Sequence, residues 1–405
     1  MDQRSSAAHT LCVMAAASVL FPAGGLNAQI SLAPVVDRWM YPFASSAGNR
    51  SSVAAFGSGG DVRFDERDSE FYLAFPTANA APSGFAPGMY RVAAASLRLQ
   101  ISEDRVFQYD PTQDPYTSYP LNGVAATVDA DPGRPIELYG AAYRNGFNVF
   151  SFGDSSPFKP GSAFAPPWIN VRNAYPIDLG GPGGSARDVS NNIRLGFESV
   201  PLAVGTADVE PGTPVPAGTV FTFALTVDDP GVLGYVRAGL AQGRLAFNVS
   251  SLPVPAEFGA GPIIYPVFYT SKAAAFGFTA ALPPQLTVTA TVCPGDYNAD
   301  GSQNLDDLGD FITDFYTLPA IPGGLQAGAP TYSDQVIGFS TPCANAGDAP
   351  APYALNAYRA LGYRVGFSPD GSNSCPLDPS QAFPNLDNLA DFLTFYYGSF
   401  GTPGC

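Results

Sequence analysis

The chain has 405 residues, a formal net charge of −16, 46% hydrophobic residues and only 13% charged ones. Its 43 Gly and 40 Pro follow no Gly-X-Y period, and 29 Phe with 20 Tyr are far more aromatic surface than a disordered chain carries, so collagen-like and disordered classes are excluded. The acidic excess repels phosphate backbones and anionic lipid, which removes nucleic acid from the expected partners.

Residues 1–28 read as a secretory signal peptide. Arg4 precedes an apolar stretch from Leu11 to Phe21, and small residues lead up to Ala28. Pro22, Gly24, Gly25 and Asn27 interrupt that stretch, so it falls short of the roughly 20 apolar residues of a membrane-spanning helix. Cleavage near Ala28, a secreted or cell-surface location and no transmembrane segment after signal removal are the expectations. The only histidine, His9, leaves with the signal, and the mature chain then has no imidazole for a catalytic triad, a proton shuttle or a zinc site.

Residues 29–292 repeat one signature, short runs of β-branched and aromatic residues broken by Gly, Pro, Asn or Asp. The runs over 52–56, 70–75, 90–101, 136–143, 220–227, 244–249 and 285–292 predict strands, and alternation such as Leu97-Arg98-Leu99-Gln100-Ile101 gives one buried face. One exception follows Asp228-Asp229-Pro230-Gly231, where Val232, Leu233, Tyr235, Val236 and Leu240 have helical spacing behind a cap-like start. The expectation is a mainly β protein, a large antiparallel β-sandwich of jelly-roll type crossed by a short helix.

At Cys293 the composition changes. The last 113 residues hold 12 Asp, no Glu, and only Arg359 and Arg364 as bases, which places a domain boundary between Val292 and Cys293. Four cysteines of the mature chain, Cys293, Cys343, Cys375 and Cys405, all lie in this region. An even number in an exported chain predicts disulfides, with all three pairings open, while the absence of any CxxC argues against zinc.

Residues 296–307 form a twelve-residue loop with side-chain oxygens at positions 1, 3, 5, 9 and 12 (Asp296, Asn298, Asp300, Asn304, Asp307), Gly301 at position 6 and the Ser302 carbonyl at position 7. A hard cation that takes about six to eight oxygens at roughly 2.3 to 2.6 Å needs this pattern, so calcium is the expected cofactor. A helix should follow, with Leu308, Phe311, Ile312, Phe315 and Tyr316 on one side. The same helix recurs 81 residues later, Asn304-Leu305-Asp306-Asp307-Leu308 against Asn385-Leu386-Asp387-Asn388-Leu389. The loop before it keeps Asp378 and Ser380 as oxygen donors, with Asn385 and Asn388 behind them, but loses a carboxylate and the glycine, so a second site there is expected to be weak or absent.

Two loop-helix repeats of this kind resemble a dockerin domain, a small α-helical module with EF-hand-type calcium loops. The Gly404-Cys405 ending resembles the GC-type variant. The resemblance spans residues 293–405 and implies attachment to a cohesin-like or other extracellular anchoring partner. Two features depart from cellulosomal dockerins: a long insertion from Thr317 to about Asn373, and Leu305-Asp306 and Leu386-Asp387 where hydroxyl residues contact cohesin. The larger domain resembles the DNRLRE-type sandwiches related to carbohydrate-binding modules, through Asp37-Arg38-Trp39-Met40-Tyr41-Pro42 at its start and Ser271-Lys272-Ala273-Ala274 and Pro283-Pro284-Gln285-Leu286 at its end.

That resemblance implies a polysaccharide as ligand, met by aromatic rings stacked on sugar faces. The candidates are Tyr109, Tyr116 and Tyr119, with Trp39 and Trp168 behind them. Two functional readings follow. One is a noncatalytic exported sandwich fixed to a complex or surface by its dockerin-type domain. The other is a polysaccharide-degrading hydrolase or lyase, for which Glu103, Asp104, Glu137, Glu198 and Glu257 are available carboxylates although none sits in a recognisable motif, so no catalytic residue is assigned.

Overall fold

The computed structural model describes residues 28–293, apart from 45, 79–80, 82, 86, 121–125, 151–166, 182–183 and 256–261, together with residues 304–309. The signal peptide expected over 1–28 lies outside the described residues except for Ala28, as does nearly all of the region 293–405.

The described chain is mainly β and every strand pairing in it is antiparallel. Strands β1 (Ala28–Leu32), β5 (Tyr90–Gln100), β10 (Val220–Ala224) and β13 (Gln285–Val292) form a four-stranded sheet in the order β1-β13-β5-β10. A second sheet runs β2 (Val36–Met40), β4 (Glu70–Pro76), β11 (Arg244–Ser250), β6 (Glu137–Tyr143), β7 (Ala174–Asp178), β8 (Arg187–Asp188), with β9 (Ala203–Val204) also paired to β6. A short ribbon pairs β3 (Ser52–Ala54) with β12 (Val267–Tyr269).

Side-chain alternation explains how the sheets meet. In β13, Leu286, Val288 and Ala290 are buried while the threonines between them are half-buried, and in β5 Leu97 and Leu99 point inward while Arg98 is exposed. They join Phe221 and Phe223 of β10 in one core with Phe71, Leu73 and Phe75 of β4 and Leu245, Phe247 and Val249 of β11. Two antiparallel sheets sharing one core is the arrangement of a β-sandwich. The second sheet is buried on its other face too, where Val36, Met40, Tyr72, Ala74, Ala141 and Ala246 pack with Val149. This is why β4 and β11 read as nearly continuous apolar runs, whereas β13 alternates.

The expected helix is α2 (Pro230–Ala241), following a single-turn helix α1 (Asn192–Leu195). Asp229 caps α2, its Oδ1 accepting from the backbone N–H of Gly231 at 2.8 Å and of Val232 at 3.0 Å, with Pro230 in the first turn where its missing N–H costs nothing. The helix lies against β5 of one sheet and β11 of the other, closing the core between them. Tyr235 reaches through to the second sheet. The β6–β11 ladder stops at the pair Gly140 and Phe247; beyond it the Tyr235 hydroxyl accepts from the Ala141 N–H at 3.0 Å and donates to the Ala246 carbonyl at 2.5 Å. The phenol therefore stands in for the next ladder bond. Gly140 permits this, since a Cβ there would lie 2.9 Å from the Tyr235 ring.

The acidic stretch Asp65-Glu66-Arg67-Asp68-Ser69-Glu70 is buried throughout. Arg67 is 1% exposed and every guanidinium nitrogen has a partner: Glu137 Oε2 at 2.8 Å, Ser250 Oγ at 3.0 Å, Tyr139 Oη at 2.9 Å, Ser199 Oγ at 3.2 Å, Asn192 Oδ1 at 3.3 Å and the Val189 carbonyl at 3.2 Å. Burial works against its charge, but the neighbouring Tyr139 phenol and Glu137 carboxylate outweigh that and push its pKa up. Arg172 pairs with Glu70 and, at 3.3 Å, with Asp65. These pairs tie the strand ends of β4, β6 and β11 to the loop carrying α1.

Candidate functional site

The described part of the expected calcium loop is its end. Residues 305–309 are helical. Asn304 Oδ1 accepts from the Asp306 N–H at 2.6 Å, and Asp307 Oδ2 reaches back to accept from the Asn304 N–H at 2.7 Å. Together these bonds cap the helix start, Asn304 serving the Asp306 N–H and Asp307 serving the Asn304 N–H, which ties the ninth and twelfth loop positions to each other. Asp307 is fully buried. Two of the six oxygen donors expected for calcium, Asn304 and Asp307, are therefore among the described residues. Asp296, Asn298, Asp300 and Ser302 lie outside the described residues, as do Asp378, Ser380, Asn385 and Asn388 of the second loop. Cys293 is buried, donates its N–H to the Met89 carbonyl at 2.8 Å and is disulfide-bonded. Cys343, Cys375 and Cys405 lie outside the described residues.

The five aromatic candidates for a sugar platform do not form one. Tyr109 is 4% exposed, packed edge-on against Phe221 with its hydroxyl accepting from the Ala207 N–H at 3.2 Å; it is a core residue. Trp168 is 8% exposed, stacked on Phe64 at 4.6 Å and met edge-on by Phe43 at 5.0 Å, so its ring is covered. Trp39 is half-buried, with Arg50 4.5 Å over its ring, Tyr41 stacked at 4.9 Å, and its Nε1 donating to Ser69 Oγ and the Ala54 carbonyl. Tyr116 and Tyr119 remain half-exposed on the loop around the 3-10 turn Tyr116–Ser118. The Arg134 guanidinium already lies 4.3 Å over the Tyr119 ring. A sequence shows that aromatics sit in a Pro-rich loop, but which side of the loop faces the core follows only from the sheet it packs against.

The candidate carboxylates are scattered. Glu137 is internal, paired with Arg67 at 2.8 Å beyond the reach of a substrate. Glu198 is exposed and accepts from the Tyr116 N–H at 3.0 Å; Asp104 accepts from the Ala217 N–H at 3.1 Å; Glu103 is half-buried. Glu257 lies outside the described residues. The carboxyls most altered by their surroundings are Asp68 and Glu70, pushed up to about 8 and about 7 chiefly by burial, with Arg172 pulling each the other way.

The arrangement best suited to a ligand is one the sequence alone did not single out. Asp110, Asp114 and Asp131 each bring a carboxylate oxygen within 4.8 Å of the other two. Asp110 and Asp131 flank Thr112, whose hydroxyl stands 2.8 Å from Asp110 Oδ1 and 2.9 Å from Asp131 Oδ2. Arg134 bridges Asp114 and Asp129, at 2.6 Å to each. Burial raises the pKa of Asp110, with Asp131 and Asp129 adding repulsion, and pushes Asp114 up to about 6. Asp110 Oδ2 is buried and has no hydrogen-bond partner. No family model matches this chain, and no curated protein matches it. The signal in the sequence was Asp110-Pro111-Thr112-Gln113-Asp114 together with Asp129-Ala130-Asp131, two acidic tracts in Pro-containing loops that only the fold brings together. Among the described residues, no helix is long and apolar enough to cross a membrane.

Proposed function

We propose that the protein is an exported, noncatalytic β-sandwich of jelly-roll type, attached to an extracellular complex or a cell surface through a calcium-dependent dockerin-type domain over residues 293–405, with a polysaccharide as its ligand class. The observation that carries this reading is the capping pair of Asn304 and Asp307, with the Asp307 carboxylate buried at the start of the helix, where the ninth and twelfth ligands of a calcium loop belong. Asp296, Asn298, Asp300, Asn304, Asp307 and the Ser302 carbonyl would hold the ion, which supplies positive charge that lets these oxygens converge.

The jelly-roll reading is supported by strand order. Taking β1, β4, β5, β6, β9, β10, β11 and β13 in chain order, the chain alternates between the two sheets except at the step from β6 to β9. That succession is the one produced by two Greek keys folded over each other, an architecture used by lectin domains. The noncatalytic reading is supported by the internal pairing of Glu137 with Arg67.

Calcium titration of the full chain after chelator treatment is expected to show a strong site that Asp296→Ala combined with Asp307→Ala removes. Heat of binding unchanged by that pair of substitutions would refute the calcium loop. Reducing sugar released above blank from a panel of polysaccharides would replace the binding reading with the hydrolase one.

A further inference from the structure

We propose that Asp110, Asp114 and Asp131 bind one hard divalent cation, calcium by its chemistry, which clasps the loop 110–118 to the loop 129–134. This site is built from residues of the sandwich, none of them in the tract 296–307.

Geometry supports it first. Two oxygens bound to one calcium at roughly 2.3 to 2.6 Å stand no more than about 5 Å apart, so three carboxylate oxygens within 4.8 Å of one another can all reach a single ion. A buried acceptor is left open there: Asp110 is 2% exposed, and its Oδ2 has no hydrogen-bond partner. Such an atom carries the full cost of lost hydration unless something binds it. The hydrogen-bond count is also short. Thr112 has one hydroxyl proton, and two carboxylate oxygens approach its Oγ1 at 2.8 and 2.9 Å, so the hydroxyl donates to only one of them at a time. An ion beside Asp110 and Asp131 would offset the repulsion between them.

Charge points the same way. Asp129 and Asp131 both repel Asp110, while Arg134 is already shared by Asp114 and Asp129 at 2.6 Å each. The donor set is oxygen only, with no His or Cys, which suits calcium and disfavours zinc or copper. Asp114 Oδ2 also accepts from the Tyr119 hydroxyl at 3.1 Å. An ion held by Asp114 therefore also fixes the loop that carries Tyr116 and Tyr119, the two half-exposed rings of the sandwich's candidate sugar contacts.

The test uses the full chain carrying Asp296→Ala and Asp307→Ala, stripped with chelator and titrated with calcium, then with magnesium and zinc. One calcium is expected to bind, and adding Asp131→Asn should weaken it by about tenfold or more, since a carboxylate donor is lost. Asp131 is half-buried, so this change should leave the chelator-treated protein folded with an unaltered melting profile; Asp110→Asn gives the matching loss from the buried side. Terbium luminescence sensitised by the nearby tyrosines should fall in step. Calcium affinity unchanged by Asp131→Asn overturns the site. No uptake by the Asp296→Ala, Asp307→Ala chain, or tighter binding of zinc than of calcium, does so equally.

Discussion

Arg67→Ala should destabilise the sandwich by about 3–5 kcal/mol, the range for removing one partner of a buried ion pair. The cause is what remains rather than what is lost. Glu137 is 3% exposed and its Oε2 takes a 2.8 Å bond from Arg67, so without the guanidinium its charge is stranded in the interior. The Tyr139 hydroxyl, Ser199, Ser250, Asn192 and the Val189 carbonyl lose a shared partner at the same time. Combining Arg67→Ala with Glu137→Gln should recover part of the loss, because the stranded charge is gone, so the double variant costs less than the sum of the singles. Chemical denaturation of the four proteins gives this cycle directly. A loss below about 1 kcal/mol for Arg67→Ala would mean that the pair is wet and exposed in solution.

Stability should fall as pH rises from about 4 to about 8. Glu70 and Asp68 have ordinary values of 4.5 and 3.8, and in the fold they stand at about 7 and about 8, raised first by burial; Arg172 pulls both down, helped at Glu70 by Arg67, while Asp65 repels both and Glu70 adds to the repulsion on Asp68. Between those limits the folded chain binds more protons than the unfolded one, so raising pH favours unfolding. Their contribution is full below about pH 4 and is lost progressively until the folded groups ionise. Each unit of displacement is worth about 1.4 kcal/mol. Glu70 Oε1, buried with no hydrogen-bond partner, is the atom where a proton is most needed. Glu70→Gln should therefore flatten the slope and narrow the gap between pH 5 and pH 8. Denaturation midpoints that rise over this range would contradict the assignment.

Much of the fold was legible because its strands have one dry face. The alternation in 285–292 and 90–101 gave β13 and β5 almost to the residue, and Asp229-Pro230 with apolar residues at helical spacing gave α2. The runs at 70–75 and 244–249 were visible as β4 and β11, but their two-sided burial was not, because a continuous apolar run does not say how many layers cover it. The strands β7, β8 and β9 gave little signal. β7 contains Pro176, and β8 and β9 are two residues each, held by partners distant in the chain. β1 follows directly on the stretch read as a signal, and its pairing of Ile30 with Val288 depends on a strand more than 250 residues away.

The site was less legible for a related reason. Asp65-Glu66-Arg67-Asp68-Ser69-Glu70 has the composition of a solvated face, yet the arginines from 67 and 172 let it lie inside. Tyr109 and Trp168 have the composition of a sugar platform and are core. Asp110 and Asp131 belong to different loops, and their approach is set by packing rather than by spacing. The helix behind the loop was readable from its apolar spacing, while its start at Leu305, inside the tract 296–307, is set by the local cap of Asn304 and Asp307.

Attachment through a calcium-ordered module is tested most directly by hydrogen exchange of the full chain, in calcium and in chelator, followed over residues 293–316. Protection that appears with calcium and disappears when Asp296→Ala and Asp307→Ala are introduced is the expected result. Equal exchange over that segment with and without the ion would contradict it.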